Sequence, residues 1–336
     1  MKRKAIAALA ACMTIAALTG CGGGGGTEGG GTSTGGATGT AGGGSGSKLI
    51  SVIVNDPANP YWKTEGDTVK EEGTKLGYTV NVTAHKGDTK AESDLIDTAI
   101  TNKAAAIVLD PANADGSVGG VQKATNAGIP VFLVNAEINQ QGLAKAQLVS
   151  DNAQGAALGA QEFVKAMNSK GTYVELLGAP SDNNAATRSN GYATVLDQYP
   201  DLKRVEAQVA NWDQKQGHDK MQSMLQAHPD IDGVLSGNDQ MALGAIAALK
   251  EAGKLKDVVV GGFDGSPDAV DAVKDGTMAY TVLQPVADFS RKVVEEIDAY
   301  LKNGKTGADS EKQAFDCTLI TKDNVDQYTS AFTLSK

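Results

Sequence analysis

A set of polar residues shares one placement. Asn55 and Asp56, Asp110, Asn135, Asn211 and Asp213, Asn238 and Asp239, Asp264 and Gln284 each stand just after a short run of β-branched or aliphatic residues. Amide side chains donate and accept hydrogen bonds, and carboxylates accept them. Both tryptophans, Trp62 and Trp212, fall beside such positions in different halves of the chain. Planar aromatic faces among amides and acids suit a ligand with C–H faces and many hydroxyls, a description that a carbohydrate or polyol meets. Taken singly, any of these Asn or Asp residues could cap a helix or fill a turn, and Tyr61 could be ordinary core. Trp212, flanked by Asn211, Asp213 and Gln214, lies in a polar stretch where core placement is less natural.

These residues need elements to hold them. From Leu49 onward the chain repeats a β-branched run, a polar or Gly/Pro break and an amphipathic stretch, the pattern of parallel sheets covered by helices. Strands are expected at 49–54, 79–83, 106–109, 131–134, 173–177, 205–209, 233–235, 258–261 and 279–283. Helices fill the gaps, and Asn59-Pro60 and Ser266-Pro267 each read as an N-cap followed by proline in the first turn. In open parallel sheets ligands sit beyond the carboxyl ends of the strands, which is where the polar set lies.

Several functions are disfavoured at specific residues. The formal net charge is −10 although Lys2, Arg3 and Lys4 contribute three positives, so no nucleic-acid partner is expected, because phosphate neutralisation needs clustered cations. After the first strand, Asn55-Asp56-Pro57-Ala58-Asn59-Pro60 has none of the glycines of a dinucleotide fingerprint. Gly304-Lys305-Thr306 imitates the end of a phosphate loop, but the earlier glycine that loop requires is Ala299. His85, His218 and His228 show no metal-ligand spacing, and no Gly-x-Ser-x-Gly turn is present. Neither enzyme activity nor a cofactor or metal is expected, and His218 and His228 read as exposed helix residues. Three cysteines, Cys12, Cys21 and Cys317, are too few for a disulfide scaffold.

The N-terminal segment reads as an address. Lys2, Arg3 and Lys4 precede an apolar run from Ala5 to Leu18, followed by Leu18-Thr19-Gly20-Cys21. The run is short for a membrane span and suits a secretory signal. The last four residues resemble the bacterial lipobox, which implies a signal over 1–20 and lipidation of Cys21. Residues 22–47 hold 15 of the 41 glycines and read as a flexible tether that reaches about 30 Å. The expected localisation is exported, either periplasmic or held at the outer face of the cell membrane by the lipid alone.

Along Lys48 to about residue 330, the motifs Asn59-Pro60-Tyr61-Trp62, Gly77-Tyr78, Asp110-Pro111, Gly128-Ile129-Pro130-Val131, Ser150-Asp151-Asn152, Gly237-Asn238-Asp239-Gln240-Met241-Ala242-Leu243-Gly244-Ala245, Gly262-Phe263-Asp264-Gly265 and Gln284 occur in order. Together they resemble the ribose-binding-protein branch of bacterial periplasmic sugar-binding proteins, which feed ABC importers. The resemblance implies an α/β fold of two Rossmann-like lobes, the type I periplasmic binding protein architecture, joined by a three-strand hinge. It places one lobe at 48–150 plus 285–316 and the other at 151–284 plus 317–336. Carried over, Asn59, Tyr61 and Trp62 hold the ligand from the first lobe, with Asn55 nearby and Asp110 and Asn135 at strand ends. Arg188, Trp212, Asn238 and Asp264 close from the second lobe, Gln284 contacts the ligand from the hinge, and the aromatic rings sandwich the sugar's apolar faces.

Ribose binders carry Asp-Arg where this chain has Asn135-Ala136, and a first arginine where it has Ala186. Charged hydrogen bonds are worth about 1.5–3 kcal/mol each against about 1 for neutral ones, so two missing cations exclude an unchanged ribose geometry. The expected ligand is therefore another small neutral sugar or polyol, an acyclic sugar alcohol first and another aldose second. The expected partner is an ABC permease, with a membrane sensor as the alternative, and the expected state is a monomer.

Overall fold

The computed structural model describes residues 47–335; the signal, Cys21 and nearly all of the Gly-rich segment lie outside them. Two α/β lobes follow, each a parallel sheet with helices on its faces. In the first, β1 (Leu49–Val54), β2 (Thr79–Ala84), β3 (Ala106–Leu109), β4 (Val131–Val134), β5 (Ala146–Ser150) and β11 (Lys312–Phe315) form an all-parallel sheet in the order β2-β1-β3-β4-β5-β11. β3, β4 and β5 are buried along their whole length, as expected of strands covered on both faces. Here α1 (Pro60–Lys75), α2 (Thr89–Thr101), α3 (Val118–Asn126) and α9 (Val286–Asn303) supply the helices.

The second sheet orders β7 (Leu202–Val209), β6 (Gly171–Leu177), β8 (Gly233–Ser236) and β9 (Val259–Gly261) in parallel. Bridges Gly261–Tyr280 and Asp264–Leu283 continue it to β10 (Thr281–Leu283), which pairs antiparallel with β12 (Thr318–Ile320). α4 (Asn152–Ala166), α5 (Asn183–Leu196), α6 (Gln214–Ala227), α7 (Asp239–Glu251) and α8 (Pro267–Asp275) pack on it. Asn59 and Ser266 cap α1 and α8 ahead of Pro60 and Pro267, as the sequence indicates. α6 and α7 approach so closely that a Cβ on Gly244 would sit 2.1 Å from the Gln214 carbonyl, and one on Gly217 would sit 2.6 Å from that of Met241. This packing sets the Trp212 loop against the start of α7, where Asn238 Nδ2 donates to the Trp212 carbonyl at 3.3 Å.

The chain passes between the sheets three times: from β5 into α4, from β10 into α9, and from β11 into β12. The first and third passages are tied together. Asp151 N–H donates to Phe315 O at 2.7 Å, Gln154 Nε2 donates to Cys317 O at 3.2 Å, and Cys317 N–H donates back to Gln154 Oε1 at 3.0 Å. The terminal hairpin, β13 (Tyr328–Ser330) with β14 (Thr333–Leu334), touches both lobes. Tyr328 hydroxyl donates to Gly265 O at 2.9 Å, and Phe332 packs edge-on against Tyr61.

The nine expected strands all form, with ends shifted by up to three residues; β5, β11, β12, β13 and β14 were not foreseen. Gln147 and Lys312 interrupt the apolar pattern that marks the others, and Gln147 is satisfied by Glu311, 164 residues away. His218 and His228 are half-buried rather than exposed, because each side chain pairs with a carboxylate of another element, Glu251 and Glu206 respectively. No helix among the described residues is long and apolar enough to cross a membrane. Replacing Gly244 by Ala should force α6 and α7 apart and lower unfolding free energy by about 1–3 kcal/mol, read as a lower urea midpoint at unchanged slope.

Candidate functional site

The carboxyl ends of both parallel sheets face one cleft, and its floor is a small cavity of about 20 Å³. That is room for about one water and far below the range typical of ligand pockets. From the first lobe it is lined by Asn59, Tyr61, Trp62 and Asn135; from the second by Asp182, Asn184, Arg188, Trp212, Asn238 and Asp264; Gln284 lies where β10 leaves the second sheet. Asp110 stands one hydrogen bond behind this wall, accepting from Asn135 Nδ2 at 2.9 Å.

Asn55 stands near the cavity without lining it. β1 ends at Val54 and the chain turns at once, with Asn59 N–H donating to Asp56 O at 3.0 Å. The turn carries Asn59 to Trp62 down to the cavity and leaves Asn55 on a wider outer groove. Asn211 and Asp213 line that groove as well. Asn59 and Asn238 line the cavity while also capping helices, accepting from Tyr61 N–H and Met241 N–H, each at 2.9 Å.

On the first lobe, Asn135 adopts φ 61°, a left-handed conformation that Asn tolerates better than most residues. Its Oδ1 accepts from the Tyr61 hydroxyl at 3.0 Å, and that hydroxyl also reaches Gln284 Oε1 at 3.3 Å. Burial, reinforced by Glu65 and Asp264, pushes the Tyr61 hydroxyl well above its usual range and so keeps it a donor. Tyr61 therefore contributes its hydroxyl to a network, with its ring against Phe332. His85, not anticipated as a site residue, positions the loop after β3. Its Nδ1 accepts from Gly87 N–H at 2.9 Å, so Nε2 carries the hydrogen that meets Asp110 O at 2.8 Å.

On the second lobe, Arg188 is buried and held through Nε and Nη1. Nε donates to Asn152 Oδ1 at 2.7 Å, and Nη1 donates to Gly237 O at 2.8 Å and to Asp264 Oδ1 at 3.4 Å. Its guanidinium lies 4.0 Å from the Phe263 ring centroid and 5.1 Å from that of Trp212, within cation–π range. Trp212 rests on bare backbone, since a Cβ on Gly178 would fall 2.0 Å from its ring. Asn211 and Trp212 are consecutive left-handed residues, φ 51° and 63°, and Asp264 has φ 136°. Backbone strain of this kind costs about 1–3 kcal/mol per residue and collects at ligand clamps.

The cavity is acidic. Burial raises Asp110 well above the usual carboxylate range, with Asp182 the next contributor and Asn135 and Trp62 pulling it back. Burial raises Asp182, opposed by the Asn184 N–H, Arg188 and Trp212. Asp264 is pushed up to about 8 by burial, against the pull of Arg188. The lobes also meet directly beside the cavity: Ala114 N–H donates to Ser181 O at 3.0 Å, Glu137 N–H to Asn183 Oδ1 at 3.2 Å, and Asn184 Nδ2 to Asn135 O at 3.3 Å. Asp182 and Asn184 are cavity residues that the sequence reading missed, because Ser181-Asp182-Asn183-Asn184 looks like an ordinary helix start. No cluster of metal-ligating side chains occurs among the described residues.

Two parallel lobes around a small polar cavity are also what the comparisons return. Residues 50–306 match the periplasmic binding protein domain family. The chain belongs to this family. It is 49% identical over 278 residues to the D-apiose import binding protein of Paraburkholderia graminis, covering 83% of this chain and 88% of that one. It is 31% identical over 273 residues to the ribose import binding protein of Escherichia coli, covering 81% and 90%. Among solved structures, an ABC transporter solute-binding protein from Bacillus halodurans with bound myo-inositol superposes with TM-score 0.79 at 28% identity, covering 85% of this chain and 98% of that one. The periplasmic binding protein fold and the role of sugar binding for an ABC importer follow.

Asp264 generates a pH prediction. A carboxyl near 8 in the folded state and near its ordinary 3.8 when unfolded keeps its proton longer in the folded form, so its contribution to stability is greatest below about 4 and is lost as pH rises toward 8. Melting temperatures of the ligand-free Asp264→Asn variant should therefore fall less steeply between pH 5 and 8 than those of the unaltered protein; parallel curves would contradict this.

Proposed function

We propose that the protein clamps one small neutral sugar between lobes 48–150 plus 285–316 and 151–284 plus 317–336, turning about Ser150/Asp151, Gln284/Pro285 and Asp316/Cys317. The observation that carries this is the cavity itself: residues from both lobes line it, so the full contact set exists only when the lobes meet. A ligand that binds both lobes shifts the open–closed equilibrium by its differential affinity, and about 5.5 kcal/mol takes it from 1:99 to 99:1. Neutral and charged hydrogen bonds from both lobes are enough for that.

The branched pentose D-apiose is the leading ligand, ahead of the acyclic alcohols that the sequence alone put first. Support comes from identity to the Paraburkholderia graminis protein over most of the chain. The site also departs from the ribose pattern: Ala136 is buried where that pattern has arginine, and Asn135 is spent on Asp110 and Tyr61. An acidic cavity with a single cation, paired to Asp264, disfavours uronates and sugar phosphates. Binding occurs without turnover or cofactor, by a monomer, with the ABC permease as partner. Leu18-Thr19-Gly20-Cys21 supports a lipid on Cys21 as the membrane anchor.

A thermal-shift panel of D-apiose, D-ribose, xylitol, myo-inositol and D-galacturonate should show the largest stabilisation with D-apiose and none with the uronate. No shift with any neutral sugar would refute the reading. Trp212→Ala should cost about 1–3 kcal/mol of affinity in calorimetry. Cys21→Ala should move the protein from the detergent phase to the aqueous phase of a Triton X-114 extract of expressing cells.

A further inference from the structure

Away from the cavity, the lobes are joined by one pair of side chains that meet each other and not the ligand space. Glu137, in the loop after β4 of the first lobe, faces Asn183 in the first turn of α5 on the second. Glu137 N–H donates to Asn183 Oδ1 at 3.2 Å, and Asn183 Nδ2 donates back to Glu137 Oε2 at 3.3 Å. One amide thus holds a backbone donor and a carboxylate together. Neither residue lines the inner cavity or the outer groove; both line a recess beside the hinge crossing, with Ser150, Asp151 and Lys312. Lys312, on β11 of the first lobe, stands 2.5 Å from the other carboxylate oxygen, Glu137 Oε1. The loop is fixed further along as well, where Asn139 N–H donates to Ala114 O at 2.8 Å. The first lobe therefore holds Glu137 in place by itself, and the second lobe brings only the amide.

Bonds of this kind exist only while the lobes are together, and they form whatever the cavity holds. We propose that Glu137 and Asn183 are a ligand-independent latch, with Lys312 positioning the carboxylate, and that the latch raises affinity for every ligand by one common factor. Selectivity stays with the residues that touch the sugar. When the competent closed form is a minor one, apparent affinity scales with its population, so a contact that favours closure multiplies all affinities alike. The bond from amide to carboxylate is charge-assisted, which makes it the stronger of the two. This rests on the two-lobe sugar clamp and goes beyond it, because the pair sets how firmly the lobes close and not what they close upon.

Asn183→Asp provides the test: the new carboxylate still accepts from Glu137 N–H and suits the first turn of a helix, but it opposes the Glu137 carboxylate instead of donating to it. Calorimetry on the mature chain, with D-apiose and every other neutral sugar of the panel that binds, should show each affinity reduced at least about tenfold, by factors equal within about twofold, with the order of the sugars kept. Adding Glu137→Gln supplies an amide that donates to the new carboxylate. The double variant should recover affinity to within about threefold of the unaltered protein, which a misfolded chain could not do. Affinity of Asn183→Asp within about twofold of the unaltered protein, losses that reorder the sugars, or no recovery in the double variant would overturn the latch and leave sugar binding standing. An unaltered protein that binds none of the sugars would overturn both.

Discussion

The buried guanidinium of Arg188 is the constraint around which the second lobe's share of the cavity is arranged. A cation removed from water without compensation costs several kcal/mol. Compensation here comes from Asn152, the Gly237 carbonyl and Asp264, with the faces of Phe263 and Trp212 covering the flat sides. Asn152 opens α4, Gly237 follows β8 and Asp264 follows β9, so one side chain fixes three segments that are distant in sequence. The same charge opposes the burial of Asp182 and Asp264. An acidic cavity can exist because this single cation sits within it.

The first lobe has no such cation and uses a neutral network instead. Asn135 links Asp110, Tyr61 and, through its carbonyl, Asn184 of the opposite lobe. His85 ties the Asp110 backbone to the turn after β2. The halves thus differ in kind: one is organised by charge, the other by amides and a hydroxyl held in its protonated form.

The strand ends were legible because a parallel sheet places its functional residues by a topological rule, and Asn59-Pro60 and Ser266-Pro267 announce helix starts without tertiary help. Nine of the eleven proposed site residues line the inner cavity, and Asp110 stands just behind it. Asn55 lines the adjoining groove and not the inner cavity, because the rule fixes the end of a strand but not the direction of the turn that follows. Asp182 was invisible for another reason: its local job as a cap is complete, and its second role exists only once Trp212 and the opposite lobe are in place. β5 and β11 were hidden because Gln147 and Lys312 find their partners across the fold, which no local pattern records.

The two hydrogen bonds between Gln154 and Cys317, with the one from Asp151 to Phe315, fasten two of the three connecting strands to each other. Neither strand can bend alone, so the lobes have in effect one angle to vary. A membrane partner that gauges only the spacing of two outer patches would learn from that angle whether the slot is filled, without ever touching what fills it.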